Sequence, residues 1–306
     1  MRKLTKILLL WLLSNLYVHA PDAQQPAKPA TSSHTLALII TNDNPRFLKP
    51  IASAWLDGID MERLLKSMNF DVLRLSNPEH KRIRRTIDSL SHHTQDINTL
   101  ILYISMHALC VNNMDFYLAS DADTLGNLRK TAFSLYGTID MLKAGNRQLR
   151  VIVFYDGCRQ ECKELQENFE RWGKLKRPDL SNVFIFFASS LGKEALGYKT
   201  SLRNSIFTGC LLKHLCDTIS LYAICTVVIK EVMETSLNEY GDKGQQVPLV
   251  ENHTDQDIFL NPVTLPMDGP VVSIGGPTLF QKLYHHENES PAVPVIWKLV
   301  YTGSIS

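Results

Sequence analysis

Leu100-Ile101-Leu102-Tyr103-Ile104-Ser105-Met106-His107-Ala108 and Val151-Ile152-Val153-Phe154-Tyr155-Asp156-Gly157-Cys158-Arg159-Gln160 decide how this chain is read. Each opens on an apolar run and closes on small or polar residues, the pattern of a short strand buried on both faces of a parallel sheet. In an open α/β sheet, ligands bind beyond the carboxyl ends of such strands. An imidazole, His107, and a thiol, Cys158, therefore emerge at one edge of one sheet although 51 residues separate them. A cysteine becomes a good nucleophile when a base stands beside it or its pKa is depressed. Histidine titrates near neutrality and is the natural base or acid. Acyl chemistry also needs donors for a developing oxyanion, and the backbone N–H groups of Cys158 and Ala108 are placed to supply them. Gly157 is expected to let the chain turn tightly before the thiol.

Outward from these runs, strands and helices alternate. Residues 35–41 read as the first buried strand. Residues 52–68, with Trp55, Ile59, Leu64 and Leu65, read as a helix. Residues 70–75 alternate as a second strand, and 78–92 form a helix with Pro78 at the favoured early position. The third strand is 99–104, followed by an extended hairpin arm at 115–119 and a short helix at 138–143. The fourth strand is 149–155. A charged helix at 161–174 ends in a basic loop before Pro178, and the fifth strand is 183–187. Helices near 205–215 and 220–237 precede a sixth strand at 246–250. This alternation implies an α/β fold, a mostly parallel six-stranded sheet sandwiched between helices.

The chain has 306 residues, 44% of them hydrophobic, and a formal charge of +1. That suffices for one large α/β domain with extensions, or for two small domains, and gives no global attraction to nucleic acid or anionic membrane. Lys81-Arg82-Ile83-Arg84-Arg85 reads as the solvated face of a helix. Arg2, Lys3 and Lys6 precede an apolar stretch at 7–18 and the small-residue site Val18-His19-Ala20, so residues 1–20 read as a secretory signal peptide, too short for a comfortable membrane span. Pro21 leaves cleavage after Ala23, or an uncleaved anchor, as alternatives. The mature chain is expected to be secreted or held in the secretory pathway, off the membrane. Residues 21–34 form a flexible leader, 35–261 the main domain, and 262–306 a Pro-rich tail for which the remnant of a β domain is one reading. Asn252 and Asn288 head N-x-S/T triplets and are glycosylation candidates. Cys210, Cys216 and Cys225 lie in apolar helical stretches and read as core thiols. Cys158 and Cys162 have no second ligand pair elsewhere, so no metal site is expected, and no organic cofactor is required.

Residues 35–260 resemble the caspase–haemoglobinase group of cysteine peptidases, and most of all the paracaspases. The resemblance runs through Leu36-Ala37-Leu38-Ile39-Ile40-Thr41-Asn42-Asp43-Asn44, then Ala54-Trp55-Leu56-Asp57, the histidine block at 102–108 and the cysteine block Phe154-Tyr155-Asp156-Gly157-Cys158-Arg159. It continues through Phe187-Ala188-Ser189-Ser190-Leu191-Gly192-Lys193-Glu194-Ala195 and Asn204-Ser205-Ile206-Phe207-Thr208. The spacing of His and Cys also matches the caspase pattern of a histidine about 50 residues upstream of the nucleophile. The resemblance implies a Cys158–His107 dyad in a three-layer sandwich. It also implies three acidic residues that hold a basic P1 side chain, falling here on Asp57, Asp156 and Glu194. A guanidinium in a partly dry pocket calls for such carboxylates, so cleavage after Arg, and after Lys to a lesser degree, is expected. The implied partner is a protein or peptide with a basic P1 residue, and a homodimer through the last strand follows by analogy.

The family histidine stands between two glycines, whereas Met106 and Ala108 flank His107 here. A catalytically degenerate module that keeps the pocket and binds basic peptides is therefore the second reading. A legumain-like secretory peptidase is the third, and the three acidic positions weigh against it.

Overall fold

The computed structural model describes residues 34–123, 128–162, 178–199 and 203–261. Within them the chain runs β1 (His34–Thr41), α1 (Ala52–Ser67), β2 (Asp71–Ser76), α2 (His80–Ser91), β3 (Ile97–Ser105), β4 (Ala108–Val111), β5 (Met114–Leu118), α3 (Leu128–Thr131), β6 (Ala132–Ser134), α4 (Leu135–Lys143), β7 (Arg150–Asp156), β8 (Val183–Phe187), α5 (Ile206–His214), α6 (Leu221–Tyr240) and β9 (Leu249–His253). The main sheet has the order β2-β1-β3-β7-β8-β9. Its first five strands are parallel, and β9 runs antiparallel to β8.

Alternation along the central strands splits the apolar core into two layers. Leu38, Ile40, Leu102, Ile104, Val153 and Tyr155 face one side and pack with Ile83 and Ile87 of α2 and Ile139 and Leu142 of α4. Ala37, Ile39, Tyr103, Phe154 and Phe186 face the other and pack with Met61 and Leu65 of α1, Phe207 of α5 and Val228 of α6. The strands are apolar on both faces because both faces are covered. This is the caspase-like α/β sandwich that the sequence implied.

Several elements differ from the expectation. Trp55 is 48% exposed; the buried stripe of α1 is Ala54, Asp57, Gly58, Met61 and Leu65. The helix lies close against β1 at Gly58, where a Cβ would stand 2.8 Å from Cγ2 of Thr41. The sixth strand begins at Leu249 and not at Gln246. Gln246 is buried and serves as a clamp: its Oε1 accepts from the Leu196 N–H and its Nε2 donates to the Ala188 carbonyl. Pro248, lacking an N–H, is poorly suited to open the ladder earlier. The arm at 115–119 is part of a second, antiparallel sheet of order β4-β5-β6. Asn112 and Asn113, both at positive φ, make its first turn, the left-handed pair such a two-residue hairpin needs.

The proposed signal peptide and tail, the leader up to residue 33, the helix at 161–174 beyond its first two residues, and Asn288 lie outside the described residues, while His34, read as the end of the leader, opens β1. No helix of the described residues is long and apolar enough to cross a membrane.

Candidate active site

Ser105, the last residue of β3, is the register partner of Asp156, the last residue of β7. His107 and Cys158 each follow two residues later, so the pairing of two neighbouring strands brings them together. Both line one cavity of about 170 Å³ with Met106, Asp156, Ala195 and Ser205. The Nε2 of His107 lies 2.7 Å from the carbonyl oxygen of Lys49. A carbonyl only accepts, so Nε2 carries the proton and Nδ1 keeps the lone pair a base requires. Lys49 belongs to the loop between β1 and α1. Asn77 anchors that loop, its Oδ1 accepting from the N–H groups of Asp43 and Asn44.

Cys158 is half-buried. Burial pushes its thiol above the usual range, the Ala195 N–H opposes that rise, and the charges of Glu194 and Asp156 add to it. The resting thiol is thus protonated at neutral pH. No hydrogen bond joins it to the imidazole, whose partner is Lys49, an arrangement common in sites that tighten only around substrate.

Met106 and Ala108 fit where the family places glycines. Met106 is 2% exposed and packs into the core beside α2 and α4. Ala108 opens β4 in extended backbone, and its φ is not positive. Leu118 N–H donates to the His107 carbonyl, so the next pair, Ala108 with Tyr117, is a non-hydrogen-bonded one and the Ala108 N–H turns away from β5. On that same side, two residues along, Cys110 N–H donates to the Gln160 carbonyl. The Ala108 N–H therefore faces the segment that carries Cys158. Gly157 stands at a bend directly before Cys158, and its φ is not positive. It is required by contact: a Cβ there would stand 2.7 Å from Cβ of Ala108.

The three acidic positions fall at three depths. Asp156 lines the cavity and is 5% exposed. Its Oδ2 accepts from the hydroxyls of Ser205 and, at 2.7 Å, Thr208. Asp57 lies fully buried behind it, its Oδ1 accepting from the Ser205 N–H at 2.9 Å and its Oδ2 from Ser105 Oγ at 3.1 Å. Burial raises the Asp57 carboxyl well above the carboxylate range, and the Asp156 charge raises it further. Burial also raises Asp156, against the hydrogen bonds of Ser205 and Thr208. Neither forms an ion pair with a cation of the described residues. Glu194 is exposed, accepts from Gln160 Nε2 at 2.7 Å and stands outside the lining, next in chain to Ala195.

Sequence reasoning missed the clamp that holds the loop of Cys158. Arg159, 2% exposed, makes two parallel hydrogen bonds of 2.8 and 2.9 Å to the buried carboxylate of Asp115 on β5, and its guanidinium lies 3.7 Å from the ring centre of Phe187. Burial alone would lower the Arg159 pKa, but the hydrogen bonds and charge of Asp115 outweigh it and raise it. The backbone of Arg159 also bonds to Lys193 and Gly192. Cys110, Cys210, Cys216 and Cys225 are free thiols. Cys210 and Cys225 are core residues as expected, while Cys216 is only half-buried beyond the end of α5. The described residues contain no cluster of metal-ligating side chains. Asn252 is exposed on β9, and its Oδ1 accepts from the N–H and hydroxyl of Thr254.

Residues 34–260 match the family model described as Caspase domain. Among solved structures, the crystal structure of caspase-1 from Spodoptera frugiperda is similar, with a TM-score of 0.56 at 15% sequence identity over 75% of this chain and 90% of that one. No curated protein sequence matches. The family match spans most of the chain and agrees with the six-stranded sheet: the chain belongs to the caspase-domain family and has the fold of a caspase-like cysteine peptidase.

Proposed function

We propose that this protein is an active cysteine endopeptidase with paracaspase-like specificity, cleaving after Arg and less readily after Lys. The observation that carries the reading is Asp156, a buried carboxylate without a cationic partner among the described residues, in the lining that also contains Cys158 and His107. A guanidinium entering there meets Asp156 directly, with Asp57 behind it and Glu194 outside. Its charge offsets the carboxylates that hold the thiol protonated, so a basic substrate assists its own attack.

In this mechanism Sγ of Cys158 attacks the scissile carbonyl carbon while its proton passes to Nδ1 of His107, and the Lys49 carbonyl steadies the imidazolium through Nε2–H. The oxyanion lies between the N–H groups of Ala108 and Cys158. Collapse breaks the C–N bond, and the leaving amine takes the proton from His107. Water, deprotonated by the same imidazole, then hydrolyses the thioester and returns the thiol. The extended backbone of Ala108 and the buried side chain of Met106 support this reading over the degenerate module. The acidic lining supports it over a legumain-like pocket. A homodimer through β9, the antiparallel edge strand, is part of the proposal and is tested by sedimentation of the purified chain.

The decisive experiment is hydrolysis by the full chain of fluorogenic peptides ending in Arg, Lys, Asn or Asp, with Cys158→Ala as control. Arg-selective turnover that disappears in the control is expected. Turnover favouring Asn or Asp, or none with any peptide while the protein still binds an Arg-terminated one, would replace this reading with the third or second.

A further inference from the structure

At the far edge of the sheet from β9, β2 bonds only to β1 among the described residues. Its outward N–H and C=O groups form an open ladder. Beside it α2 presents one face, and between them lies a groove of about 490 Å³ lined by Leu73 and Leu90 together with Lys81, Arg82 and Arg85. Leu73 is 38% exposed, while Leu75, on the same face of β2, is buried with Ile83. Nearby carboxylates are engaged: Glu79 pairs with Arg46, and Asp88 lies 3.9 Å from Arg84. Lys81, Arg82 and Arg85 have no carboxylate partner among the described residues. A solvated basic face would need only the cations; here an open ladder and an exposed apolar floor adjoin them.

We propose that this groove docks an extended acidic segment of a partner protein, which adds to β2 as a strand and sets carboxylates against Lys81, Arg82 and Arg85 and an apolar side chain over Leu73 and Leu90. Strand addition supplies main-chain hydrogen bonds, and alternate side chains supply selectivity. Lys81 and Arg85 are one helical turn apart, about 6 Å along the axis, close to the roughly 7 Å between alternate residues of a strand. The segment that fits therefore reads acid-x-acid-x-Leu, in either chain direction. Docking here does not depend on whether Cys158 is catalytically active.

The test is fluorescence anisotropy of the full chain with labelled Ser-Glu-Thr-Glu-Thr-Leu-Ser and with its reversed sequence. Saturable binding of one of them is expected, unaffected by alkylation of Cys158. The double variant Arg82→Glu/Arg85→Glu should weaken it by about tenfold or more, with an unchanged circular dichroism spectrum. Leu73→Lys should weaken it independently of the charges. Methylating alternate backbone nitrogens of the bound peptide should abolish it. Absence of saturable binding by both peptides overturns the proposal. So does binding that survives backbone methylation and is matched by heparin, since that is polyanion attraction without strand addition.

Discussion

A methyl group at Gly157 would stand 2.7 Å from Cβ of Ala108 and 3.2 Å from the Met106 carbonyl oxygen, so Ala108 keeps its Cβ only because Gly157 has none. Gly157→Ala is expected to destabilise the fold by about 1–3 kcal/mol and to cut turnover. Adding Ala108→Gly should restore much of both, as read from urea unfolding and initial rates; equal loss in the double variant would contradict the contact. The acidic pair gives a second prediction. A carboxyl whose folded pKa lies above its unfolded value takes up a proton on folding. It costs nothing below the unfolded value near 4, and destabilises progressively as pH climbs from there to the folded value. Both Asp57 and Asp156 are raised by burial, so the stability of Asp156→Asn relative to the parent chain should grow as pH rises above about 4. A pH-independent difference would show that the parent carboxyl is not raised. For the same reason KM for an Arg peptide should fall as pH rises through the pair's titration, and Asp156→Asn should flatten that profile. His107 and Cys158 were legible in the sequence because each follows an apolar run, whereas Asp156 was singled out only through the resemblance to paracaspases. The Lys49 carbonyl was not, because a backbone acceptor has no letter of its own.

Among the elements, the β4–β5 hairpin does more than flank the site. It carries the Ala108 N–H, and through Asp115 it holds Arg159, the residue after Cys158. Removing one partner of a buried ion pair leaves the other charge uncompensated. Asp115→Leu, which takes from the buried Arg159 its carboxylate, should therefore cost about 3–5 kcal/mol, with Arg159→Met in the same chain recovering part of it. Thermal and urea unfolding would measure this, and a cost below about 1 kcal/mol, the range of a surface pair, would deny the clamp its role. Periodicity found the strands of the main sheet but not this pair, whose members lie 44 residues apart and bear no local mark. It also read Gln246 as a strand residue, because an apolar run follows it and its partners, Ala188 and Leu196, belong to a distant loop. The stripe of α1 went astray at Trp55 because small residues, Ala54 and Gly58, form the close contact with the sheet while the large ring stays outside.

On the scale of the whole domain, β3 and β7 are covered on both faces and paired on both edges, whereas β2 and β9 each have one open edge among the described residues. Hydrogen exchange should accordingly be slowest in β1, β3 and β7 and faster in β2 and β9; rapid exchange in β3 or β7 under native conditions would refute this order. Sheet order followed from the sequence only as far as parallel alternation carries it, and the antiparallel turn of β9 needed the structure. Asp156 ends β7 and Cys158 follows two residues later, so in the proposed enzyme charge selection and bond cleavage hang from one stretch of mid-sheet backbone. Proteins that keep selectivity in peripheral loops can diversify by exchanging those loops. A lineage of this one that abandoned basic residues would have to rewrite the footing of its own nucleophile, which makes its taste for charge slow to drift and hard to graft.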